Sequence, residues 1–64
     1  MKLNRQNFDL ARARACMGLK DIEKAGIPRG TLTSAMNGKN ILPETAGRIA
    51  KALGVDVTDI IEDI

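Results

Sequence analysis

Apolar residues recur along this chain at helical spacing, and no stretch alternates as a strand does. Leu10, Ala13 and Met17 step by three and then four residues, with Cys16 at the edge of their stripe as a small apolar filler. They predict a first helix over about residues 8–17, capped by Asn7 and stopped by Gly18. Leu19, Ile22 and Ala25, three apart, predict a second helix of about two turns, which Gly26 ends. A third helix is predicted over about residues 28–37: Pro28 has its φ preset for a first turn, and Gly38 closes the far end. Ile27, Leu32, Ala35 and Met36 turn inward there. After a loop at 39–42, Pro43 and Glu44 suit the positive end of a fourth helix. Its buried stripe is Ala46, Ile49, Ala50 and Leu53, and its stop is Gly54. Asp56 and Asp59 resemble a capping box and predict a short fifth helix over 57–62, with Ile60, Ile61 and Ile64 apolar. The expectation is a compact all-α domain of five helices spanning residues 1–64 as one unit.

With those inward positions assigned, Arg29, Gly30, Thr33 and Ser34 are left pointing out from the third helix. That face is small and polar and carries one arginine. A helix of this kind fits the major groove of DNA, which is wide enough to admit one. The glycine turn ahead of it completes a helix-turn-helix reading.

Composition narrows the remaining classes. Aromatic residues make up 2% of the chain, Phe8 alone, so the core is aliphatic. The single cysteine forms no intrachain disulfide and points to a reducing compartment, and residues 1–20 lack the apolar segment of a signal peptide or membrane span. A cytoplasmic protein is expected, with no membrane attachment, cofactor, metal or small-molecule ligand. No histidine, no clustered carboxylates and no phosphate-cradling glycine loop are present, so an enzyme is not expected. Charge is uneven. Residues 1–55 carry all ten basic groups and four acids, a net +6, whereas residues 56–64 carry four acids and no base, a net −4. A basic body that meets phosphates and ordinary solvated helix faces both account for this distribution.

Two segments carry a family resemblance. They are Ala25-Gly26-Ile27-x-Arg29-x-Thr31-Leu32 with Asn37-Gly38-Lys39, and Ile49-Ala50-Lys51-Ala52-Leu53-Gly54-Val55 after Pro43-Glu44-Thr45. In this order and spacing the chain resembles the lambda-repressor-like helix-turn-helix family of Cro and repressor type, over nearly its whole length. Small phage and mobile-element regulators look most similar. The resemblance implies that Arg29 and Gly30 lie where family members read base edges, and that Thr33 and Ser34 occupy the next outward turn. It implies that Asn37, Lys39 and Asn40 touch the DNA backbone at the end of the helix. Arg29 suits the reading role because its fork can donate two hydrogen bonds to the O6 and N7 of guanine. The chain departs from the pattern in three places. Between Gly18 and Gly26 it is about one turn short, which removes a polar residue that commonly anchors a phosphate and leaves Lys20 as the substitute. Pro28 stands where a Ser or Thr usually caps the recognition helix. Met36 stands where an acid often pairs with an arginine at the position of Arg14.

The expected function is therefore a transcriptional regulator that binds double-stranded DNA sequence-specifically. One module offers about four base-reading side chains, so a homodimer on a palindromic operator is expected, with half-sites ~34 Å apart. Its dimer surface is assigned to Ile61 and Ile64, against the alternative that these residues close the core. Two other readings stay open: an antitoxin-like or anti-repressor interaction module that keeps the fold without reading DNA, and the DNA-binding part of a longer regulator.

Overall fold

The computed structural model describes residues 1–62. Four α-helices, α1 (Arg5–Ala15), α2 (Leu19–Lys24), α3 (Arg29–Met36) and α4 (Pro43–Leu53), are followed by a single 3-10 turn at Val57–Asp59. They enclose one aliphatic core around Phe8, Ile22, Ile27, Leu32, Ile49 and Ile60, all at most 1% exposed. α4 presents the predicted stripe without change: Ala46, Ile49, Ala50 and Leu53 are buried, and Pro43 opens the helix. α2 and α3 likewise fall within a residue or two of expectation, and Ile27, Leu32 and Ala35 turn inward.

The first helix differs in register. It begins three residues earlier than predicted, and its cap is Asn4, whose Oδ1 accepts the amide of Asn7 at 3.0 Å. Asn7 is therefore inside the first turn. The buried face is Phe8 and Ala11, while Leu10 is 51% exposed, Ala13 is exposed and Met17 is half-buried. Phe8 decides the rotation, because burying the one aromatic ring removes more apolar surface than burying Leu10 would. Arg12 follows on that side, with its guanidinium 5.3 Å from the centre of the Phe8 ring.

The helix also stops sooner, at Cys16 rather than Gly18. Cys16 adopts the left-handed conformation (φ 54°), and the amides of Cys16 and Met17 donate to the carbonyls of Ala13 and Arg12. This is the crossed pair of bonds that closes a helix around a left-handed residue, a place glycine ordinarily takes. α3 and α4 end with the same pair of bonds around Gly38 and Gly54. The Cys16 side chain is consequently exposed and does not fill the core.

The fifth helix is replaced by the 3-10 turn and an extended tail. Asp56 does cap that turn, accepting the Thr58 amide at 2.9 Å and the Thr58 hydroxyl at 2.7 Å. Beyond it the backbone leaves the helical path to pair with the start of the chain. Leu3 bridges antiparallel to Ile61, the Asn4 amide donates to Ile60 at 2.7 Å, and the Glu62 amide donates to Lys2 at 2.9 Å. Ile61 is thereby 6% exposed and belongs to the core. Its assignment to a dimer surface is corrected by this pairing, whereas Ile64 lies outside the described residues. Among the described residues, no helix is long and apolar enough to cross a membrane.

Candidate nucleic-acid interface

α3 is positioned by the turn that precedes it. Gly26 takes a φ of 103°, open to glycine and strained for other residues, and so turns the chain from α2 into α3. Pro28 then stands at the N-cap, with φ −60° and no side-chain hydrogen bond to the helix amides. Gly38 (φ 83°) closes the other end: its amide donates to Ala35, and the Lys39 amide donates to Ser34 at 3.1 Å. An eight-residue helix is thus fixed at both ends by backbone geometry, leaving its outer side chains free for other work.

The outer face of α3 carries the residues expected there, with one difference in exposure. Arg29, Gly30 and Thr33 are exposed, and Ser34 is half-buried against the body. Asn37 forms the C-cap, and Lys39 and Asn40 follow it, all three exposed. Gly30, Thr31, Ser34, Asn40, Leu42 and Thr45 line one open groove of about 340 Å³ between α3 and the start of α4. The structure therefore brings Gly30, Ser34 and Asn40 together. Lys20 stands apart, exposed in the first turn of α2, whose N-terminus is closed by Asp21 accepting the Gly18 amide at 2.9 Å.

Several residues of this region carry no local sequence signal. Glu23, in the last turn of α2, accepts the Nε–H of Arg29 at 3.0 Å. The six-residue spacing is not that of neighbours on one helix, and only the turn between α2 and α3 makes the contact. Arg5 reaches from α1 to the end of α3, where its Nη1 donates to the carbonyl of Met36 at a long 3.5 Å. It spans the same two helices that an Arg14 pair would have joined, while Arg14 itself is exposed. Thr31, Leu42 and Thr45 join the groove through the α3–α4 connection.

Electrostatics around the helix supports are local. Asp9 lies between Arg12 (2.8 Å) and Arg5 (3.3 Å). The Arg12 hydrogen bond, opposed by burial and aided by the charges of Arg5 and Arg12, holds its carboxyl below the ordinary aspartate range. Asp56 is lowered by the bonds it accepts from the Thr58 amide and hydroxyl. Among the described residues no three His, Cys, Asp or Glu side chains gather as a metal site requires.

The sequence model of one protein family, described as Helix-turn-helix, matches residues 21–60, which is more than half of the chain and contains α3 and α4 whole. The chain belongs to the helix-turn-helix family of Cro and repressor type. Membership makes it a DNA-binding transcriptional regulator by family, with double-stranded DNA as the partner class. The matched span takes in Glu23 and Arg29 together with the α3–α4 groove. No curated protein and no solved structure matches the chain.

Proposed function

We propose that this helix-turn-helix protein binds a palindromic operator sequence-specifically as a homodimer, with α3 in the major groove. The observation that carries this reading is the division of α3 into two faces. Leu32 and Ala35 are buried, and Arg29, Gly30 and Thr33 are presented outward with no bulky apolar group among them. Arg29 is the guanine reader, Thr33 and Ser34 contact neighbouring base edges or phosphates, and Gly30 lets the backbone come close to the groove. Lys20, Asn37, Lys39 and Asn40 meet the sugar-phosphate backbone and set the register. Dimensions support two copies. One chain measures 25 Å along its longest axis, short of the ~34 Å between equivalent major-groove faces. Bound in this way the protein occludes or recruits at a promoter and performs no chemistry.

Selection of bound sequences from a random duplex library at near-physiological salt tests the proposal. A palindrome with half-sites one turn apart is expected. Absence of enrichment, with binding that vanishes by moderate salt, overturns it in favour of a protein-interaction module.

A further inference from the structure

The acid nearest the reading face is not a neutral bystander. Residues 24–43 contain no acidic group, yet the last acid before that gap, Glu23, is the one paired with Arg29. Its Oε1 takes the Nε–H at 3.0 Å, and this is the one guanidinium nitrogen of Arg29 with a partner among the described residues. The two terminal nitrogens, Nη1 and Nη2, remain free at the outer end of a side chain that is 53% exposed. Those nitrogens can make an end-on, two-pronged contact to the O6 and N7 of guanine. A carboxylate on Nε fixes the plane and direction of the fork before DNA arrives. It also removes Nε from competition for a phosphate oxygen, which would draw the side chain away from the base edges. An exposed ion pair of this kind adds little to folding stability, so its value lies in ordering a long side chain that would otherwise be ordered at the expense of binding.

We propose that Glu23 is a positioning residue for base reading: by holding Arg29 through Nε it sets the side chain's guanine preference, and so contributes specificity without touching DNA. The inference rests on the proposed reading role of Arg29.

The test uses the enriched site and a second duplex in which the guanine assigned to Arg29 is replaced. Affinities for both are measured for the parent chain, Glu23→Ala, Glu23→Gln, Arg29→Ala and the Glu23→Ala/Arg29→Ala double variant, with thermal melts verifying that each is folded. Glu23→Ala is expected to lower the ratio of the two affinities by about two- to tenfold, the range set by immobilising one rotamer-rich side chain. Binding to random DNA should rise at the same time, because a negative charge has gone. Glu23→Gln loses the charge but keeps an acceptor oxygen, and is expected to retain more of the ratio than alanine does. In the Arg29→Ala background the second substitution should leave the ratio unchanged. Equal strengthening of both duplexes by Glu23→Ala, with the ratio intact, overturns the inference and leaves Glu23 as a bulk charge. A ratio that Arg29→Ala fails to lower removes Arg29 as the reader, and this inference with it. A library that enriches no site at all overturns the regulator proposal itself. The three failures are therefore distinguishable.

Discussion

α3 and α4 are adjacent helices of similar apolar content put to opposite uses. α4 turns Ala46, Ile49, Ala50 and Leu53 inward over eleven residues and is opened by proline. α3 buries Leu32 and Ala35 within eight residues, has no side-chain cap, and gives its other face to an arginine and small polar groups. α4 holds the domain together through its packing on α1, α2 and the 3-10 turn, and α3 is held in place by α2 and by the backbone turns at either end. In a domain of this size the two roles separate cleanly: substitutions on α4 should register in stability, those on the outer face of α3 in DNA binding.

The largest expected effect breaks the scaffold side. Ile49→Ala removes a side chain that is 0% exposed, at a cost of about 2–5 kcal/mol. That is much of the roughly 3–10 kcal/mol expected for a domain this small. Urea denaturation should show the midpoint collapse, whereas a loss under 1 kcal/mol would mean the core around α4 closes over the gap. The reading side should behave inversely. Arg29→Ala should cost about 1–3 kcal/mol on the preferred site, with the melting temperature almost unmoved. Equal losses on preferred and random duplexes would remove its reading role. Lys39→Ala should weaken all sequences alike and reduce the slope of binding against salt by about one.

The helix ends give a smaller effect in the opposite direction. α3 and α4 close around glycines, but α1 closes around Cys16 in the same left-handed conformation. Cys16→Gly relieves about 1–2 kcal/mol of steric cost and adds back part of it as chain entropy, for a net gain of about 0.5–1 kcal/mol. A melting temperature raised by a few degrees is the expected reading. The smallest effect concerns acid. Asp9 and Asp56 have lowered folded-state pKa values, so their contribution is present above the ordinary aspartate range and is lost as the pH falls through and below it. Asp9→Asn should flatten the acid limb of a stability-against-pH curve, leaving the neutral region nearly level.

Sequence made α4 and the outer face of α3 legible because each pattern is local: the stripe, the proline and the terminal glycine lie within one helix. The rotation of α1 was not legible on those terms. Leu10 and Phe8 head competing stripes, and the choice between them depends on what the rest of the chain supplies as a core. The last segment fails for a related reason. Asp56 does start a turn, but the path of Ile60 and Ile61 is set by hydrogen bonds to residues 2–4, which no local period encodes. At the candidate interface, residue types such as Arg29 and Thr33 suggest their chemistry, whereas the contact of Arg29 with Glu23 emerges only when α2 and α3 are folded against each other.

The pairing of residues 2–4 with 60–62 has a bearing on the dynamics of the loop that follows α3. The first residues clasp the tail through Leu3 and Ile61, and the Ile41 amide donates to Met1 at 2.7 Å, just beyond Lys39 and Asn40. A contact joining residues so far apart in sequence carries a high loop-closure cost, so it should form late in folding and open early in native-state fluctuations. Amide hydrogen exchange should then find Asn4, Ile41 and Glu62 released together, well before the amides of α4. The loop at 39–42 would then share its breathing rate with a clasp formed from residues at opposite extremes of the sequence.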